Sequence, residues 1–243
     1  MCSESATPNS RQVSVAAARP DHGSGVSAWL TDLQYRWGDM LQGARTRQFA
    51  KDETLFLEGQ PANFVFVIQQ GRVRLTSFAF DGHERHLLIV GPNGLVGDCA
   101  LPATRHYVVS AVAAADTQAA MVPADRMLAA LARHPALAAQ QRALSGVRFR
   151  IMLRHVAAQG SNSGRRKVCM HLVDLLHSYG APHRLGTAIS IHFTQEEMGN
   201  ICGLSRVSVS HVFTQLEREQ VLTRVGRVVV VIDAARLQLL SRS

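Results

Sequence analysis

Between Thr194 and Ile232 the chain carries hydrogen-bonding side chains at spacings suited to reading a double-stranded nucleic acid. The run RVSVSHVFTQLE repeats Val209, Val212 and Phe213 or Leu216 at three- and four-residue steps, which defines one buried helical face. Left outside near its start are Arg206, Val207, Ser210 and His211, with Ser208 among them. A guanidinium can donate paired hydrogen bonds to guanine O6 and N7, a contact worth about 1–3 kcal/mol of discrimination. Ser205, Ser208 and the first amides of such a helix suit phosphate oxygens instead.

These side chains need a scaffold, and the flanking sequence supplies one. Thr194 followed by Glu197 is a capping box, so a helix starts at Gln195 and runs through QEEMGNIC. Gly203 ends it in a tight turn, Leu204 anchors the turn, and Ser205 caps the second helix. Two helices joined by three residues make a helix-turn-helix, whose second helix enters the major groove. The following VLTRVGRVVVVID predicts a hairpin about Gly226 with Arg224 and Arg227 at its tip. Thr194, Gln195, Gly226 and Arg227 thereby join the expected phosphate contacts. A single exposed arginine at a helix start is ordinarily just solvated. The agreement of cap, turn, core spacing and basic wing is what carries the reading.

Upstream the pattern changes. Residues 1–24, rich in Ser, Ala, Pro and Gly, are expected to form a disordered tail. Trp29, Leu30, Leu33, Trp37 and Leu41 recur at helical spacing and predict a short helix. From Arg45 to Met121 short apolar runs alternate with turn residues, the signature of an antiparallel roll or jelly roll, with Asp81-Gly82 as its best hairpin signal. From Ala124 to about Ala158 the residues favour helix, with Pro135 opening the longer segment. Leu137, Leu144, Val147, Ile151 and His155 form an apolar stripe there, and the first four are expected both to cover the roll and to pair with a twin helix in a dimer. QGSNSG reads as a hinge. The fold expectation is therefore α+β: a β-roll sensor domain over 25–123, a long dimerisation helix over 124–160, and a C-terminal winged helix-turn-helix domain over 161–243.

The formal charge of +8, carried almost wholly by arginine, favours a polyanionic partner without choosing among them. Four scattered cysteines with no CxxC spacing argue against a disulfide framework or a zinc or iron–sulfur cluster. No secretory or membrane-spanning pattern is visible, so a cytoplasmic protein off the membrane is expected.

Taken together, FTQEEMGNICGLSRVSVSHVFTQLEREQVLTRVGRVVVVID and ETLFLEGQPANFVFVIQQGRVRL resemble the Crp/Fnr family of bacterial transcription regulators. The resemblance implies a homodimer on a palindromic DNA site, with RNA polymerase as a further partner and a cyclic-nucleotide-binding-like β-roll as the effector domain. Arg206 matches the family's guanine-reading arginine. Val207 stands where a base-reading Glu is frequent, and His211 replaces a second base-reading Arg. In cyclic-AMP-binding members a Gly-Glu pair holds the ribose and an Arg followed by Ser or Thr holds the phosphate. Gly97, Asp98, Arg105 and His106 fall at those positions, and Met152 and Leu153 fall where the helix would touch adenine. Asp98 and His106 depart from the pattern, which makes cyclic AMP the minority reading and an Asp98–Arg105 ion pair the bland one. Only Cys2 lies where the family's oxygen sensors cluster iron–sulfur ligands. His83, His86, His106 and Cys99 keep haem open.

Two rival readings use other features. One is a cyclic-nucleotide- or haem-responsive module acting on a protein partner. The other is a cupin-like enzyme, for which DGHERH offers His83, Glu84 and His86 but no second ligand cluster.

Overall fold

The computed structural model describes residues 27–31, 33–78, 84–101, 105–159 and 163–242. The N-terminal tail, the Asp81-Gly82 turn and residues 160–162 of the QGSNSG hinge lie outside these residues.

Trp29–Leu30 form a strand, β1, rather than the expected helix, and only Gly38–Leu41 are helical, as α1. The helical spacing of Trp29, Trp37 and Leu41 is overridden by tertiary pairing, because Trp29 and Leu30 lie parallel to Ile89 and Val90. The roll then runs β2 (Arg45–Phe49), β3 (Thr54–Phe56), β4 (Phe64–Gln70), β5 (Val73–Phe78), β6 (Glu84–Val90), β7 (Leu95–Val96), β8 (Ser110–Ala113) and β9 (Thr117–Pro123). Two sheets result, in the orders β1-β6-β5-β8-β3 and β2-β9-β4-β7. Apart from β1 their pairings are antiparallel, and β5 pairs with β6 as the predicted hairpin requires. Phe49, Phe56, Phe66, Ile68, Val73, Leu95 and Val122 lie between the sheets as a buried core.

Two helices leave the roll, α2 (Ala124–Arg133) and the 25-residue α3 (Pro135–Gln159), with Pro135 at the first helical position where its missing N–H costs nothing. Ser163 caps α4 (Gly164–Tyr179) by accepting from the Arg166 amide. After α4 the segment GAPH forms β10 (Gly180–His183), which pairs with β11 (Gly186–Ile189). Then come α5 (Gln195–Cys202), α6 (Arg206–Arg218), β12 (Leu222–Val225), β13 (Val228–Val231) and α7 (Ala234–Leu240). The third sheet has the order β10-β11-β13-β12.

The two halves touch. Trp29 packs its ring against His171 of α4 and against Phe193, and the Tyr179 hydroxyl donates to the Trp29 carbonyl at 2.6 Å. Arg72 donates to the His192 carbonyl at 2.7 Å and lies 3.2 Å from the Glu197 carboxylate.

Candidate nucleic-acid interface and effector domain

Both strands of the capping box form: the Thr194 hydroxyl accepts from the Glu197 amide at 3.0 Å, and the Glu197 carboxylate accepts from the Thr194 amide at 2.8 Å. That satisfies two otherwise orphaned donors and starts α5 next to Gln195. Gly203 closes the helix with φ 67°, a left-handed conformation that favours glycine. Gly199 has a different reason to be small, since a Cβ there would sit 2.7 Å from the Leu204 carbonyl oxygen. The two helices thus approach closely, and Met198, Cys202, Val209, Val212, Phe213 and Leu216 fill the space between and behind them. Burial pushes the Cys169 thiol up to about 11 and the Cys202 thiol up to about 12, so both remain protonated core groups.

Ser205 caps α6 by accepting from the Ser208 amide at 3.0 Å, and the two hydroxyls share a 2.9 Å hydrogen bond. Arg206, Val207, Ser208 and His211 are exposed on the first turns of this helix, and Ser210 is half-buried. The wing turns at Gly226, φ 62°, and presents Arg227 to solvent. Arg224, placed near the wing tip by the sequence, is tied back to α6. Glu217 of α6 holds it through contacts of 2.6 and 2.9 Å, tying wing to helix.

The effector residues are arranged differently from the expectation. Asp98 does not pair with Arg105. Its carboxylate accepts from Arg148 Nη1 at 2.7 Å and from Gln141 Nε2 at 3.2 Å, both on α3. Arg148 also donates to the Leu95 carbonyl and lies 3.6 Å from Cys99 Sγ. The pair is deeply enclosed, with side-chain exposures of 7% for Arg148 and 1% for Asp98. Burial opposes the Arg148 charge, but Asp98 and Cys99 together more than offset it and hold the guanidinium above its ordinary range. Gly97 precedes this turn with φ 88°, and a Cβ there would meet the Tyr107 ring at 2.9 Å.

Arg105 points away, in a left-handed conformation with φ 50°, and pairs with exposed Asp125 at 3.3 Å. His106 forms an isolated bridge with Pro61. Met152 packs partly against the core, whereas Leu153 is exposed. The six expected pocket residues therefore do not converge on one ligand, and they do not fit a cyclic nucleotide: the ribose carboxylate is taken by Arg148 and the phosphate arginine is turned outward.

Of the haem and cupin candidates, Glu84 and His86 lie on β6, while Cys99 and His106 lie elsewhere in the roll. His83 lies outside the described residues. His86 is buried on β6, its imidazole kept below the usual range by that burial, and Cys99 has a thiol pushed up by its own. Among the described residues no group of three His, Cys, Asp or Glu side chains could hold a metal ion. Nor is any helix there long and apolar enough to cross a membrane.

Arg148 is the residue of this buried cluster that reading by pattern missed. It lies four residues after Leu144 and three before Ile151, both buried, so an arginine occupies a core position and requires a buried carboxylate.

An enclosed roll joined by a long helix to a winged helix-turn-helix defines a DNA-binding regulator with an effector-type domain. Residues 46–134 match the cyclic nucleotide-binding domain family and residues 166–240 the Crp-like helix-turn-helix domain. The "CRP-like cAMP-activated global transcriptional regulator" of Mycobacterium tuberculosis is 24% identical over 189 residues, covering 78% of this chain and 84% of that protein. The "Cyclic AMP receptor protein" of Thermus thermophilus is 28% identical over 192 residues, covering 79% and 86%. In fold, a CooA mutant from Carboxydothermus hydrogenoformans superposes with TM-score 0.75 at 20% identity, over 88% of this chain and 99% of that one. The chain belongs to the Crp/Fnr family of transcription regulators.

Proposed function

We propose that the protein acts as a homodimer on a palindromic operator, inserting α6 of each protomer into successive major grooves, and that cyclic AMP is not its effector. The carrying observation is the outward row Arg206, Val207 and His211 on a helix whose opposite face is wholly buried. Arg206, Val207, Ser210 and His211 are assigned to bases. Thr194, Gln195, Ser205, Ser208, Gly226 and Arg227 are assigned to phosphates.

The dimer seam is assigned to a face of α3 other than the stripe first considered. Leu137, Leu144 and Ile151 are buried in their own protomer and Val147 is half-buried. Phe149, Leu153 and Val156 are exposed at 63%, 52% and 65%, and their four- and three-residue spacing makes a coiled-coil seam. A two-fold dimer on this seam matches a two-fold operator. At a promoter it meets RNA polymerase, the partner that family membership implies.

The test is a set of binding isotherms against genomic fragments and random duplex. A preferred fragment bound about a thousandfold more tightly, in a salt-dependent manner, supports the reading. Equal affinity for every duplex refutes it.

A further inference from the structure

We infer that Val207 reads the C5-methyl group of a thymine in each operator half-site, an inference that rests on α6 being the recognition helix. Val207 is in the first turn of α6 and 63% exposed, surrounded by Arg206, Ser208 and His211, all polar and all exposed. Among the described residues most of its surface is left uncovered. A β-branched residue is a poorer helix former than Ala, Arg or Glu, so local helix stability gives no reason for valine here.

Its chemistry does give one. Val207 neither donates nor accepts a hydrogen bond, and its χ1 is restricted almost to one rotamer in a helix, so it presents a rigid pair of methyl groups. Among the base edges of the major groove, the thymine methyl is the one apolar group. Opposite cytosine N4, or adenine N6 and N7, the same side chain would strip water from donors and acceptors and return nothing. Valine therefore selects thymine both by the contact it makes and by the hydrogen bonds it denies to other bases.

Neighbouring positions restrict where that thymine lies. Arg206 is the preceding residue, and a helix advances 1.5 Å per residue against 3.4 Å per base step. The thymine is therefore within about two base pairs of the guanine bound by Arg206. His211 is four residues on, one turn along the same ridge, and its ring nitrogens offer a donor to the next acceptor in the groove. The half-site is thus marked by a guanine, a nearby thymine and a further acceptor-bearing base.

The experiment first selects an operator with the full-length protein from a randomised symmetric duplex. Each thymine of the selected half-site is then replaced in turn by deoxyuridine, which removes the methyl and nothing else. The expected result is one symmetric position where the replacement weakens wild-type binding about fourfold per half-site, as loss of one buried methyl implies. In V207A, whose single methyl reaches less far toward the base, the loss on deoxyuridine replacement shrinks. An operator whose every deoxyuridine form binds wild type undiminished overturns the inference, as does undiminished sensitivity in V207A. In both those cases the DNA-binding reading stands; if selection enriches no sequence, that reading fails and takes this inference with it.

Discussion

The guanidinium of Arg148 lies 2.7 Å from the Asp98 carboxylate, joining α3 to the turn after β7 across 50 residues of sequence. The long helix is clamped to the roll by a contact internal to the chain.

Breaking that clamp from one side leaves a charge buried and unpaired, which costs about 3–5 kcal/mol. R148A is therefore expected to lower the urea midpoint severely. Replacing both partners with apolar residues, D98L with R148M, removes the charges together and restores most of the loss. Unfolding curves of the two single variants and the double variant check this, with single-variant effects that fail to add. Millimolar cyclic AMP leaves the wild-type midpoint unmoved, since a ligand that does not bind the native state cannot stabilise it.

The proposed dimer seam makes a prediction about assembly. L153E places a charge at the centre of the Phe149–Leu153–Val156 face while leaving the inward stripe of Leu144 and Ile151 intact. Sedimentation equilibrium is expected to show monomers of unchanged fold. Operator affinity falls at least tenfold, because each monomer then engages one half-site without the second. L144A, by contrast, costs stability of about 2–5 kcal/mol and leaves the dimer contacts themselves in place.

What could be read from the chain before folding was what is local. The Thr194–Glu197 box, the Gly203 turn and the period of Val209, Val212 and Leu216 each depend on neighbours within one or two turns, and all appear as expected. Long-range choices were not legible. Trp29 follows a helical period but pairs with β6, since a strand partner 60 residues away outweighs local spacing. Asp98 was matched with Arg105 through the family resemblance, whereas in the fold it pairs with the buried Arg148 and Arg105 pairs with Asp125. The two apolar faces of α3 lie on one helix, so periodicity alone could not decide which packs inward.

At the DNA interface, two arginines are expected to behave differently. R206A loses a base contact, so discrimination at one symmetric base pair falls by about 1–3 kcal/mol per half-site. R227A loses a contact at the wing tip, weakens binding to all sequences alike, and reduces the salt slope by about one per protomer. Filter-binding titrations at several salt concentrations, on the selected operator and its point variants, separate the two. Because Arg224 is held by Glu217, E217A frees it, shifts the wing and alters affinity without changing base preference.

The joint between α3 and α4 carries opposed titrations. Burial raises Asp174 from 3.8 to about 7, although Arg154 lies 2.7 Å away and pulls it down. Burial, then His155 and Arg154, lower His171 from 6.5 to about 3, and His155 is lowered too, by burial and Arg154. The signs follow from proton counting. Between pH about 4 and 7 the folded state holds a proton on Asp174 that the unfolded chain has released, so this group adds stability as pH falls. Below about 6.5 the unfolded chain protonates histidines that the fold keeps neutral, so His171 and His155 subtract stability as pH falls. Wild type therefore loses stability on acidification with Asp174 opposing the loss. D174N removes the opposition, and its acid loss is steeper by up to one proton, about 1.4 kcal/mol per pH unit. H171F removes one of the two opposing histidines and flattens the curve by a similar amount. Urea midpoints of the three proteins from pH 4.5 to 7 decide the matter: parallel curves would show that neither buried group titrates with folding.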